Sequence, residues 1–311
     1  MKKAAAFLLS FIAGVSVNAA SAPQTADKNA TAAKKPLKVL MIGNSFSVCV
    51  LKQMPQIARN SGCALDLASA HIGGCSLERH VNELAKAEAD PSAKAHYYFG
   101  WKYVSDDGHL KRLLPKSRWI SLPAALKADV WDVVTIQQAS HFSIDRATYS
   151  PYGENLIKTI KELCPTAEVV IQETWSYTPY DNRLIKWGID QNEMYRRLHD
   201  AYCSFAKDNS IRVIPTGEAV QLWRKKLPVK YTPNSFGGDV AGAMRFYKKD
   251  GLYKVYVDRF HFNEKGEYLQ SLVWTAKLFG VDVTKCQFIR DKTIGTDYCR
   301  LMQEIANEVC R

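Results

Sequence analysis

Five short apolar runs, each rich in β-branched residues, punctuate the chain at Lys38–Ile42, Leu65–Ala70, Asp132–Ile136, Glu168–Gln172 and Arg212–Ile214. Each has the length and unbroken apolar character of a strand buried on both faces, which a parallel sheet requires. Helical patterns lie between them at Val48–Arg59, Leu77–Ala87, Tyr152–Leu163 and Asn192–Lys207. Cys164-Pro165 ends the third, and Met194, Leu198, Ala201 and Phe205 give the fourth an apolar face. This alternation predicts an α/β fold: a doubly wound, flavodoxin-like sheet of five parallel strands with helices on both faces, a three-layer α/β/α sandwich. Ligands of such sheets bind beyond the carboxyl ends of the strands, so chemistry is to be sought just after each run.

Ahead of the first run, Met1-Lys2-Lys3 leads into an apolar stretch from Ala4 to Val15 and small residues ending in Ala20-Ser21-Ala22. That is the layout of a secretory signal peptide, here over residues 1–22. The stretch is short for a bilayer span and no later segment is both long and uncharged, so a periplasmic or extracellular protein without a membrane span is expected. Residues 23–36 read as a polar, Ala/Lys-rich tether, and no cysteine precedes Cys49 to carry a lipid anchor. Residues 37–311 are read as one domain with insertions near 91–128 and 227–257. In the first, aromatics alternate from His96 to Leu114 around Ser105-Asp106-Asp107-Gly108, which suits a β-hairpin. The second, Leu227 to Val257, is a long connection suited to a lid or rim.

The net charge of +11 falls to +9 when Lys2 and Lys3 leave, because no acidic residue lies in the first 22 positions. Basic pairs such as Lys225-Lys226 and Lys248-Lys249 are scattered, so a solvated basic surface is expected and no nucleic-acid partner. Eight cysteines in an exported chain lead one to expect disulfides, with all 105 pairings open. No C-x-x-C pair occurs, and His71, His80, His141 and His199 have no metal-ligand spacing with acidic residues. No metal or organic cofactor is expected.

Chemistry-bearing residues follow the strand runs. Ile42-Gly43-Asn44-Ser45-Phe46-Ser47 sets Ser45 at a strand-to-helix turn, a place for a nucleophile and equally for a helix cap. Ala70-His71-Ile72-Gly73-Gly74-Cys75-Ser76 offers glycines whose N–H groups can approach a ligand. The third run ends in Ile136-Gln137-Gln138-Ala139-Ser140-His141, rich in amide donors. The fourth ends in Gln172-Glu173-Thr174-Trp175-Ser176-Tyr177, where the aromatics can overlook the site or fill the core. Asp258-Arg259-Phe260-His261 stands near the C-terminus, ahead of a segment that reads as an amphipathic helix.

The order and placement of these blocks resemble the SGNH (GDSL-like) serine hydrolase superfamily, from Leu37 to about Gly280. Gly43-Asn44-Ser45 stands for the usual G-D-S, and Gln137-Gln138-Ala139-Ser140 for the usual G-x-N-D. The resemblance implies Ser45 as nucleophile, His261 as base and Asp258 as the carboxylate that orients it. It also implies an oxyanion hole from the N–H groups of Ser45 and Gly74 and the amide of Gln137 or Gln138, with Gln137 the expected donor. Asn44, His141, Glu173, Trp175 and Tyr177 are expected to meet substrate. Physical chemistry agrees: a hydroxyl needs a base to become nucleophilic, imidazole serves near neutral pH, and a carboxylate stabilises the imidazolium. The expected activity is a secreted esterase removing acyl groups, acetyl among them, from a carbohydrate or other small ester, with Trp101, Trp175, Tyr177 and Tyr180 as sugar-stacking rings. A lipase- or thioesterase-like acyl hydrolase and a catalytically silent glycan-binding module are the alternatives.

Overall fold

The strands in chain order are β1 (Leu37–Gly43), β2 (Leu65–His71), β3 (Tyr97–Val104), β4 (Leu110–Lys111), β5 (Trp119–Ile120), β6 (Val133–Ile136), β7 (Glu168–Gln172) and β8 (Arg212–Ile214). The computed structural model describes residues 35–92, 97–104, 110–111 and 119–311, of which 98–104 and 110–111 are described as backbone. The five apolar runs form the parallel centre in the order β2-β1-β6-β7-β8, which is the doubly wound arrangement. Val39, Leu40 and Met41 of the central strand are fully buried, and each such side chain contributes about 1.5–3 kcal/mol. Beyond β2 the sheet continues antiparallel through β3, which pairs with β4 and β5. The hairpin expected in the first insertion is present as β3 and β4, and its β3 strand pairs the outer edge of β2, whose backbone groups would otherwise be open.

Ten helices surround the sheet in this description: α1 (Ser45–Val48), α2 (Met54–Asn60), α3 (Leu77–Ala89), α4 (Leu122–Leu126), α5 (Tyr152–Leu163), α6 (Asn182–Trp187), α7 (Gln191–Asp208), α8 (Thr216–Lys226), α9 (Glu264–Phe279) and α10 (Thr296–Val309). One group gathers around α9, which contacts α2, α8 and α10, and another joins α3 to α4 and α5. The helix expected over Val48–Arg59 is broken into α1, a 3₁₀ turn at Cys49–Lys52 and α2, which begins with Pro55 in its first turn. Proline has no N–H to continue the preceding ladder, so it starts a new helix. The segment after His261 is buried rather than amphipathic: Tyr268, Leu272, Val273 and Trp274 are inside, and so are Gln270, Ser271 and Thr275. Ser271 and Thr275 tolerate this by donating to carbonyls one turn back.

About half of the second insertion is strand. Ala241–Lys249 (β9) and Leu252–Phe262 (β10) form a long antiparallel hairpin, separate from the main sheet. All eight cysteines are free, which corrects the expectation of disulfides. Their sulfurs face separate local partners; Cys164 lies on the Leu126 carbonyl and Cys286 on that of Ile57. The signal peptide and most of the tether fall on residues 1–34, outside the described residues. Among the described residues no helix is long and apolar enough to cross a membrane.

Candidate active site

Ser45 opens α1 directly after β1, and its hydroxyl lies 2.8 Å from His261 Nε2. His261 Nδ1 is 2.8 Å from Asp258 Oδ2. Burial alone would raise the Asp258 carboxyl, but the His261 imidazole and the N–H groups of His261 and Phe260 hold it well below the usual carboxylate range. An ionised carboxylate only accepts, so Nδ1–H donates to it and the neutral ring offers its Nε2 lone pair to the Ser45 hydroxyl. The three residues are 216 and three positions apart in sequence, and a β-bulge brings them together. β10 pairs Asp258 with Ala243 and next pairs Phe262 with Ala241, so Arg259, Phe260 and His261 leave the ladder. Asp258 Oδ1 closes this turn by accepting from Phe260 N–H (3.2 Å) and His261 N–H (3.1 Å).

The loop after β7 clamps the bulge from behind. Trp175 Nε1 donates to the Phe260 carbonyl at 2.7 Å, and Thr178 donates to the Arg259 carbonyl through both N–H and hydroxyl. The Trp175 ring is stacked between Phe46, at 4.2 Å, and Phe262, at 3.5 Å. Trp175 and Tyr177 are both fully buried, so neither is a sugar platform. Glu173 is also fully buried; it accepts from Glu218 N–H and pairs with His199 Nδ1 at 2.7 Å. These three expected substrate contacts are corrected to structural roles, because the loop turns under the bulge instead of toward solvent.

Asn44 joins three strand ends. Its Oδ1 accepts from Phe46 N–H at 3.0 Å and from Gln137 Nε2 at 2.6 Å, while its Nδ2 donates to the Cys75 carbonyl at 2.9 Å. It is 2% exposed, so it positions the site and does not meet substrate. Gln138 is engaged too: its Nε2 donates to Thr148, and its Oε1 accepts from Leu77 and Ala139 N–H. Both glutamines are buried and neither lines the cleft. The expected side-chain oxyanion donor at the end of β6 is therefore corrected, since Gln137 turns its amide onto Asn44 and Gln138 anchors the start of α3. What remains is backbone. Among the described residues the N–H groups of Ser45, Gly73 and Gly74 have no protein acceptor, and Gly74 sits at φ +63°, where a side chain would be strained.

A cleft of about 480 Å³ opens over Ser45 and His261. Its walls include residues that sequence reasoning did not single out: Cys49, Lys52, Arg245, Tyr256 and Glu267, with His71 at the end of β2. Arg245 donates to Asp258 Oδ2 at 3.1 Å, sharing that oxygen with His261. Lys52 pairs with Glu267. Burial pushes the Cys49 thiol up to about 12, and its sulfur lies on the Ser45 carbonyl, so it is no rival nucleophile. Burial also lowers His71. His141 lies outside this cleft, exposed and against Phe142; His80 is buried on Tyr97 and lowered to about 3 by burial. Tyr180 is exposed under Arg259, and the Trp101 side chain is outside the described residues. Among the described residues no group of three or more His, Cys, Asp or Glu side chains is arranged to hold a metal ion.

The doubly wound fold has a counterpart among solved structures. A crystal structure of a DUF4886 family protein from Bacteroides uniformis ATCC 8492 superposes with a TM-score of 0.71 at 25% identity, covering 88% of this chain and 95% of that one. A protein from Slackia heliotrinireducens, provisionally described as an SGNH hydrolase, follows with a TM-score of 0.47 and 20% identity, covering 78% of this chain and 100% of that one. No curated protein matches. The model of the DUF4886 family, described as a domain of unknown function, matches residues 38–235, and because that is more than half of the sequence, the chain belongs to this family.

Proposed function

We propose that the chain is an exported serine esterase that hydrolyses acyl esters, acetyl esters included, on carbohydrate. One observation carries the reading: a continuous relay from Ser45 Oγ through His261 to a buried Asp258, opening on a cleft beside free backbone N–H groups. In this reaction His261 Nε2 takes the Ser45 proton as Oγ attacks the ester carbonyl carbon. The Ser45 and Gly74 N–H groups receive the developing oxyanion. Collapse breaks the bond to the alcohol oxygen, which leaves with the proton from His261. Water then loses a proton to His261, attacks the acyl-serine, and the acid departs as Oγ recovers its proton. Export is supported by the basic start, apolar run and small-residue site of the first 22 positions.

The test is hydrolysis of para-nitrophenyl acetate and of acetylated sugars by wild type and Ser45→Ala, with fluorophosphonate labelling of both. Labelling and turnover that vanish with the Ser45 hydroxyl support the reading. A wild-type protein that binds glycans but neither labels nor turns over is a silent binding module, and preference for long-chain or thioesters makes it a lipase- or thioesterase-like enzyme.

A further inference from the structure

The β9–β10 hairpin has two unlike faces. Side chains alternate along a strand, so the register groups Arg245 with Tyr256, Tyr247 with Lys254 and Lys249 with Leu252 on one face. The other face carries Met244 with Val257, Phe246 with Val255 and Lys248 with Tyr253. Arg245 and Tyr256 line the cleft that holds Ser45 and His261, so the first face continues that cleft outward. The rings of Tyr247 and Tyr256 touch edge to face at 6.2 Å, and both are about half exposed. Lys249 and Lys254 are exposed, and neither has an acidic partner among the described residues. Successive rungs are about 7 Å apart, so the face runs on for about 14 Å beyond Tyr256.

We propose that this face is a subsite for an acidic polysaccharide, whose chain lies along Tyr256, Tyr247, Lys254 and Lys249 while an acyl ester on one of its sugars enters the cleft at Ser45. The inference rests on the esterase reading above. Tyrosine rings offer flat faces to the C–H side of sugar rings. Unpaired lysines beside them supply the charge that a uronate chain complements, and they raise its local concentration at the cleft. The apolar side chains Met244, Phe246, Val255 and Val257 lie on the opposite face, so the surface leading to Ser45 suits a hydrated chain better than a lipid layer. Nucleic acid shares the charge and the stacking but has no acyl ester for the cleft.

Binding is tested first without turnover, by retention of the full Ser45→Ala protein on polygalacturonate, on a neutral glucomannan and on phosphatidylglycerol vesicles. Retention on polygalacturonate alone is expected, weakening with salt. Adding Tyr247→Ala and Lys254→Glu should weaken it about tenfold or more, equivalent to about 1.4 kcal/mol. In the Ser45 enzyme the same pair should raise KM for acetylated polygalacturonate by a similar factor and leave para-nitrophenyl acetate hydrolysis within about twofold. Equal retention of parent and variant, equal retention on glucomannan, or binding to the vesicles instead overturns the subsite. Absence of Ser45-dependent hydrolysis overturns the esterase reading, and the retention experiment still decides the subsite.

Discussion

Gln137 donates its amide to Asn44 Oδ1 across 2.6 Å, and through that bond the end of β6 supports the turn that presents Ser45. Asn44 passes the restraint on to the glycine turn by holding the Cys75 carbonyl. Gln137→Ala should therefore cost about 1–3 kcal/mol of stability, the usual effect of stranding a buried polar group. It should lower kcat by less than tenfold, because no oxyanion donor is lost. A loss of about 10²–10³ in kcat with an unchanged melting temperature would instead mark a direct donor.

Asn44→Asp is a sharper probe of the same junction. The new carboxylate keeps both acceptor contacts but faces the Cys75 carbonyl with an oxygen where Nδ2 donates. Repulsion there displaces the turn bearing Gly73 and Gly74, so kcat for para-nitrophenyl acetate should fall by about tenfold or more while KM changes little, as expected for losing interactions made in the transition state. Steady-state kinetics at one pH decide this, and unchanged kcat would show that the turn stands without Asn44.

Asp258→Asn should leave the fold intact, since Oδ1 can still accept from Phe260 and His261 N–H. Its amide then donates where Oδ2 accepts, so Nδ1 must become the acceptor and Nε2 carries the proton. A protonated Nε2 faces Ser45 as a donor and cannot take the hydroxyl proton, so kcat should fall by about 10⁴. The same amide confronts Arg245 Nε, leaving a cation without its carboxylate. Activity within tenfold of wild type would remove Asp258 from the relay.

Much of this arrangement was legible because strand ends and site coincide in a doubly wound sheet: β1, β2 and β6 deliver Asn44-Ser45, Gly73-Gly74 and Gln137-Gln138 to one edge. What the glutamines do was not legible, since a carboxamide both donates and accepts and its partner lies 93 residues away. The burial of Trp175 likewise depends on the Phe260 carbonyl, 85 residues distant. The hairpin carries a local signal of its own. Asp250-Gly251 lies between alternating side chains, and both residues have positive φ, +54° and +77°, as a type I′ turn requires. A two-residue turn there pairs Arg245 with Tyr256, and that rung forms the cleft wall.

Stability should depend on alkaline pH through His199. The Cys203 thiol and the buried Glu173 carboxylate raise its imidazole from 6.5 to about 11. A folded-state value above the unfolded one means that the native protein holds a proton the unfolded chain releases. Stability from this pair is then complete below about pH 6.5 and declines from there as pH rises toward 11. Urea midpoints at pH 6 and pH 9.5 should differ more for wild type than for His199→Asn. Parallel declines in the two proteins would show that His199 does not carry the dependence.

Trp175 separates a packing role from a substrate role. Its ring fills the space between Phe46, which follows Ser45, and Phe262, which follows His261. Removing it opens a cavity at the join of the two segments that carry the relay, so Trp175→Ala should cost about 3–5 kcal/mol. Trp175→Phe keeps the stack but strands the Phe260 carbonyl, for about 1–3 kcal/mol. Because the bulge then loses one clamp, its effect on activity should appear in kcat and be equal for para-nitrophenyl acetate and for an acetylated sugar. A Trp175→Phe protein of unchanged melting temperature whose KM rises only for the sugar would put the ring in contact with substrate and overturn the packing assignment.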